Sequence, residues 1–179
     1  MKRKNIILGI TGSIAAYKAC DLIGLFRKNG FEVTCILTKE AGEFITPLTL
    51  ETLSSNTAFS DMFKLPEKRT AVHISLADKA DLVVICPASA NIIGKLANGI
   101  CDDLLTCTVF ATKAPVLVAP AMNDKMYKHK IIQKNIATLK NAGHTFVGPV
   151  KGHLACGDYA IGHLADISNI FKESKRLLK

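Results

Sequence analysis

Five short apolar runs, each separated from the next by helical periodicity, limit what this chain can fold into. Asn5 to Thr11 has no polar residue between its ends. Glu32 to Thr38 (interrupted only by Thr34), Leu82 to Cys86, Pro115 to Ala119 and Thr145 to Val147 follow a similar pattern. Unbroken apolar runs of this length suit strands covered on both faces, which is the habit of parallel sheets. The intervening stretches are amphipathic at helical spacing. In Ile14 to Asn29, residues Ala15, Ala16, Ala19, Leu22, Ile23 and Phe26 fall on one face, and Gly30 follows as a stop. Strands alternating with helices imply an α/β fold with a doubly wound parallel sheet.

Further helices are predicted to start at Thr46-Pro47 and to span His73 to Lys79, Ala90 to Leu96, Asp103 to Ala111, Lys130 to Ala142 and Asp166 to Leu178. Ser60 to Thr70 is polar and reads as a loop. Gly152 to Gly162 holds three glycines with little periodicity, so a flap or hairpin is expected at about 152–163. With 179 residues and no linker or repeat, residues 1–179 read as one domain.

The formal charge is +8. Basic residues gather at Lys2-Arg3-Lys4, between Lys125 and Lys130, and from Lys172 to Lys179. No interleaved aromatics or nucleic-acid motif accompany them, so they read as solvated ends rather than a nucleic-acid surface. Such a surface also concentrates a small phosphorylated acid. No run approaches a membrane span. The segment after Lys4 reads as a first strand rather than a targeting sequence. Six cysteines without a C-x-x-C pair suit small buried hydrophobes in a reducing compartment, hence a cytoplasmic protein.

The first turn, Gly9-Ile10-Thr11-Gly12-Ser13-Ile14, leads from strand to helix. That places backbone N–H groups and a positive helix end toward an anion, favouring phosphate. It is neither G-x-G-x-x-G nor a P-loop, and Thr38-Lys39 stands where an acidic ribose ligand is expected. A mononucleotide fits better than NAD or ATP. Close packing of helix on strand would by itself also call for Gly12.

Asn123 follows the fourth strand, between Met122 and Met126. At that edge ligands bind in open α/β sheets. A neutral amide there can donate to a substrate carboxylate, and it also serves as a helix cap. The third strand ends in Pro87-Ala88-Ser89-Ala90-Asn91, a hydroxyl and an amide among small residues. Asp102-Asp103 suits a helix start better than a metal site. His153, Cys156 and His163 have spacing that matches no structural zinc pattern, so no metal is expected.

Together, Gly12-Ser13-Ile14-Ala15-Ala16-Tyr17-Lys18, His73-Ile74-Ser75-Leu76, Pro87-Ala88-Ser89-Ala90-Asn91, Leu96-Ala97-Asn98-Gly99, Asp102-Asp103-Leu104-Leu105, Pro120-Ala121-Met122-Asn123 and Gly152-His153-Leu154-Ala155-Cys156-Gly157 resemble one family. It is the phosphopantothenoylcysteine decarboxylases, among the homo-oligomeric flavin-containing cysteine decarboxylases. The resemblance implies a flavodoxin-like (Rossmann-like) subunit with FMN near a homotrimer interface, and trimers that in bacterial members assemble into dodecamers. It implies that Gly12, Ser13 and Ile14 cradle the FMN phosphate. Thr38 and Phe44 would border the flavin, with Ser89 and Asn91 beside it. His73 would be the base, Asn123 would hold the substrate carboxylate with Met122 and Met126 around it, and Cys156 would be the proton donor. Two positions depart from the family pattern: Ile92 replaces a threonine, and Tyr127 replaces a tryptophan. The chain ends at Lys179, so a separate phosphopantothenoylcysteine synthetase is expected to make the substrate.

The implied reaction is FMN-dependent decarboxylation of 4'-phosphopantothenoylcysteine to 4'-phosphopantetheine in coenzyme A biosynthesis. It proceeds by thiol oxidation, CO2 loss and reduction of the enethiol. Read without the resemblance, His73 at a helix start suits a cap or surface position better than catalysis, and Cys156 equally suits a buried structural role. The same fold resembles the peptidyl-cysteine decarboxylases of lantibiotic synthesis, but the Ala155-Cys156-Gly157 flap and the basic charge favour the phosphorylated substrate. Flavin prenyltransferases lack the Pro-Ala-Met-Asn segment. Non-catalytic relatives that regulate a phosphatase typically lose catalytic residues, whereas His73, Asn123 and Cys156 are all present.

Overall fold

A computed structural model describes residues 3–63 and 71–179. Its sheet starts from β1 (Asn5–Ile10), followed by a 3-10 turn at Ile14–Lys18 and helix α1 (Ala19–Lys28). Then come β2 (Glu32–Leu37), a second 3-10 turn at Lys39–Glu43, α2 (Pro47–Ser54) and β3 (Ala58–Phe59). The chain continues through α3 (Val72–Lys79), β4 (Leu82–Ala88), α4 (Ala90–Ala97), α5 (Leu104–Ala111) and β5 (Val116–Pro120). Next are α6 (Asp124–Lys128), α7 (Lys130–Asn141) and β6 (Thr145–Phe146). A hairpin of β7 (Val150–His153) and β8 (Tyr159–His163) precedes α8 (Ile167–Leu177).

The main sheet is six-stranded and parallel, in the order β3-β2-β1-β4-β5-β6. Leaving aside the two-residue edge strand β3, this is the 2-1-3-4-5 order of flavodoxin-like sheets. Side chains alternate faces along each strand. Ile6, Leu8, Ile10, Val33, Cys35, Leu82, Val84 and Leu117 join one core, into which α1, α2 and α8 pack. Ile7, Ile36, Val83, Ile85, Val116 and Val118 join the other, with residues of α3, α4, α5 and α7. Both faces are covered, which is why the strands show no polar alternation. Phe26, Phe31 and Phe171 meet edge-on, with ring centroids 5.4–6.2 Å apart, and join α1 to α8.

The structure departs from the sequence reading of the elements in two places. The helix expected over Ile14 to Asn29 begins as a 3-10 turn, with the Ala19 N–H reaching both the Ala16 and Tyr17 carbonyls. The strand at Ala58–Phe59 was not expected, since two residues carry no period. The loop expected at Ser60 to Thr70 lies partly outside the described residues, which resume at Ala71.

Cys35 and Cys86 are buried in the sheet, and burial pushes both thiols up to about 12. Cys101 and Cys156 are exposed instead. The acid pair Asp102-Asp103 starts α5: Asp103 accepts from the Thr106 N–H at 2.8 Å, and Lys95 Nζ reaches both acids at 2.8 and 2.9 Å. Among the described residues no helix is long and apolar enough to cross a membrane.

Candidate active site

Between β1 and β4 the chain direction of winding reverses, and in such sheets the crevice beyond the strand ends is where ligands bind. Here that crevice is a cavity of about 570 Å³. Its walls come from the turns after β1, β4 and β5 and from the β7–β8 hairpin. One buried hydroxyl ties two of those turns together. Thr11 Oγ1 donates to the Pro87 carbonyl at 2.8 Å and accepts from the Ser89 N–H at 2.9 Å. The exits of β1 and β4 are therefore held at a fixed spacing.

Each turn delivers its residues through a local cap. Ser13 has extended backbone and its hydroxyl accepts from the Ala15 N–H at 3.4 Å. Gly12 is required by close approach: a Cβ there would lie 2.6 Å from the Cβ of Glu40. Ser89 caps α4 by accepting from the Ile92 N–H at 3.4 Å. Asn123 caps α6, its Oδ1 accepting from the Lys125 N–H at 2.9 Å, which leaves the Nδ2 amide to point elsewhere. That amide donates to Cys156 Sγ at 3.7 Å. Sγ in turn donates to Asp158 Oδ2 at 3.6 Å.

The hairpin reaches the cavity through two ties. The Met122 N–H donates to the Gly162 carbonyl at 3.0 Å. Gly162 adopts φ +134°, and a Cβ there would collide with the Met122 carbonyl oxygen, so only glycine lets the two backbones pass. The second tie is Lys18 Nζ to His163 Nε2 at 3.4 Å. His163 Nδ1 lies 2.8 Å from its neighbour's carbonyl, Leu164 O, so Nδ1–H donates there and Nε2 accepts from the ammonium. Beside the Asn123 cap, Lys128 holds the Asp124 carboxyl below the usual range. The other oxygen, Asp124 Oδ1, is buried with no hydrogen-bond partner among the described residues.

Of the expected site residues, Gly12, Ser13, Ile14, Phe44, Ser89, Met122, Asn123, Met126 and Cys156 all line the cavity. Thr38, Asn91 and His73 do not. Thr38 is buried and caps the second 3-10 turn, accepting from the Ala41 N–H at 3.3 Å. Asn91 is exposed in the first turn of α4. His73 stands in the first turn of α3, next to Ile74, which is 40% exposed. Ile92, the departure from the family pattern, is buried in the second core rather than turned to the cavity. Sequence reasoning assigned no role to Thr11 and missed Lys18 and His163 as a pair. Lys18 had appeared only within a motif, and the pair meets across 145 positions.

The lining suits a flat aromatic group ending in an anion. Ile14, Phe44, Met122, Met126, Leu154 and Leu164 supply apolar wall, and a few placed polar groups fix orientation. The Gly12-Ser13 turn, with room for no side chain, fits a phosphate against backbone.

The chain is similar to known proteins over nearly its whole length. The family model described as Flavoprotein matches residues 1–179. A probable phosphopantothenoylcysteine decarboxylase of Streptococcus mutans serotype c (strain ATCC 700610 / UA159) is 43% identical over 98% of this chain and 99% of its own. The coenzyme A biosynthesis bifunctional protein CoaBC of Bacillus subtilis (strain 168) is 43% identical over 98% of this chain. The chain spans about two fifths of the length of that bifunctional relative, 43%. Among solved structures, a cysteine-to-serine mutant of PPC decarboxylase complexed with pantothenoylaminoethenethiol superposes with TM-score 0.90, at 34% identity and 98% coverage of both chains. The FMN binding protein AtHal3 superposes with TM-score 0.86, at 35% identity, covering 98% of this chain and 96% of its own.

Proposed function

We propose, for a chain that belongs to the flavoprotein family, an FMN-dependent decarboxylation of 4'-phosphopantothenoylcysteine to 4'-phosphopantetheine in coenzyme A biosynthesis. The observation that carries this reading is the convergence of the Gly12-Ser13 turn, Asn123 and Cys156 on one cavity. Relatives named for this activity support it.

Loss of CO2 from a cysteinyl carboxylate needs somewhere for the electron pair to go. The chemistry that bound FMN supplies is a reversible two-electron oxidation of the substrate's thiol carbon, which creates that sink and is undone before product leaves. Gly12, Ser13 and Ile14 would hold its phosphate, and Phe44 and Ser89 would border the ring. The protein's own residues then bind, orient and move protons. Asn123 Nδ2 donates to the substrate carboxylate without adding a charge. Met122 and Met126 shape the pocket around it. His73 takes the thiol proton, a task suited to an imidazole at neutral pH. Cys156 returns one proton to carbon after CO2 has gone, so the overall change replaces a carboxylate by a hydrogen. The β7–β8 hairpin closes over the ligand and excludes water.

His73 does not line the cavity of its own chain. This supports a site completed by a second copy, as in a homotrimer, in which α3 of one copy meets the cavity of the next. Exposed apolar residues around the cavity, Ile14 at 57%, Tyr17 at 58% and Phe44 at 47%, support the same reading. We infer the trimeric unit alone. We infer a cytoplasmic protein whose substrate is supplied by a phosphopantothenoylcysteine synthetase, a reading that the bifunctional CoaBC relatives support.

The test is direct. Purified protein should carry a yellow flavin spectrum and release CO2 from 4'-phosphopantothenoylcysteine in preference to an unphosphorylated peptide ending in cysteine. Preference for the peptide would favour a peptidyl-cysteine decarboxylase, and flavin without CO2 release from either would favour a non-catalytic regulatory relative.

A further inference from the structure

The proposed chemistry sets two thiols in one cavity with opposite needs. The substrate thiol must lose its proton to a base, while Cys156 must keep its own until carbon requires it. We propose that Asp158 is the positioning residue that keeps Cys156 in its S–H form, an inference resting on the assignment of Cys156 as proton donor.

The geometry around Sγ allows one arrangement. Asn123 Nδ2 approaches at 3.7 Å and can only donate. Asp158 Oδ2 approaches at 3.6 Å and, ionised, can only accept. A neutral thiol satisfies both, directing S–H to the carboxylate and a lone pair to the amide. A thiolate would still satisfy Asn123 but would face a second negative atom at Asp158. Asp158 is held in place by its own backbone: the Leu154 N–H donates to the Asp158 carbonyl at 2.8 Å, and the Gly157 N–H to the Leu154 carbonyl at 2.9 Å. It is not among the residues lining the cavity, so it reaches the sulfur from outside and leaves the ligand side open. The other titratable groups lining the cavity are Tyr17, Lys18, His153 and His163. Lys18 and His163 engage each other, and His153 packs edge-on against Tyr159, with ring centroids 5.1 Å apart. Repulsion between carboxylate and thiolate grows as the hairpin closes and water leaves.

Asp158→Asn removes the charge while keeping size and the backbone bonds of the turn. In the purified protein, the rate of Cys156 alkylation by iodoacetamide is followed by peptide mass spectrometry, with exposed Cys101 as internal reference. The Cys156-to-Cys101 ratio should rise about five-fold, the Coulomb effect of one unit charge at about 4 Å in water. Asp158→Glu, which keeps a carboxylate, should leave the ratio near wild type. In turnover, Asp158→Asn should release more unreduced enethiol than wild type at alkaline pH, and acidification should restore the saturated product. A turn that had merely lost its shape would lower the yield at every pH. An unchanged alkylation ratio in Asp158→Asn, or an equal rise in Asp158→Glu, overturns the inference. Cys156→Ser is run alongside: accumulation of enethiol supports the donor assignment, whereas full yield of saturated product overturns that assignment and with it the role given to Asp158.

Discussion

Thr11→Val is the most informative single change, because it keeps shape and removes only a hydroxyl. Thr11 is 1% exposed, and its hydroxyl serves Pro87 as donor and Ser89 as acceptor. Valine leaves the Pro87 carbonyl and the Ser89 N–H without that partner. Each lost bond costs about 1 kcal/mol, rising to about 3 kcal/mol where the abandoned group is buried. The sum over both bonds is about 2–6 kcal/mol. For a chain of this size that lowers Tm by about 4–24 °C. Urea unfolding at fixed protein concentration should show a lower midpoint with an unchanged slope. Ser89 also borders the proposed flavin site, so FMN affinity should fall with stability. Thr11→Ser, which keeps the hydroxyl, should lose only the small contribution of a methyl group, about 1 kcal/mol. A valine variant within about 0.5 kcal/mol of wild type would refute the claim that this hydroxyl couples the two strand exits.

His73→Asn should abolish CO2 release while flavin absorbance is retained; full activity would reject the base assignment. Asn123→Asp keeps the cap of α6 but opposes the substrate carboxylate, so kcat/KM should fall about 100-fold or more with little change in stability. In the folded chain, Cys35 and Cys86 should resist alkylation while Cys101 and Cys156 react, as mass spectrometry of the labelled peptides would show. The Asn5 N–H, then Lys4, holds the Asp81 carboxyl below its usual value. Its stabilisation is therefore complete above the unfolded pKa of about 4 and fades as pH falls through the lower folded value. Asp81→Asn should accordingly destabilise the protein at neutral pH and progressively less in acid, measured by urea midpoints across that range.

The sheet was legible because burial on both faces leaves a plain mark. Ile6 to Ile10 and Leu82 to Cys86 are apolar at every position, and each proved a central strand. Ala58–Phe59 left no mark, because an edge pairing two residues long depends on a neighbour rather than on its own pattern. At the cavity, residues adjacent to strand exits could be read from turn chemistry: Ser13, Ser89 and Asn123 are caps, and Gly12 directly precedes one of them. Lys18 and His163 could not, since neither residue type nor spacing announces a pair made by the return of a hairpin. Thr11 was hidden for another reason. At the end of an apolar run it looks like a strand terminus, and only the neighbouring strand reveals its two partners.

Asn123 carries three obligations at once: it starts a helix, touches a thiol and faces an open cavity. Serine or aspartate could start the helix, but serine has no N–H with which to reach the sulfur and aspartate brings a charge. Glutamine keeps the amide yet lengthens the arm beyond the cap. Any drift at this position must therefore be answered elsewhere in the pocket, which makes it the residue whose replacement should be hardest to compensate by a single second change.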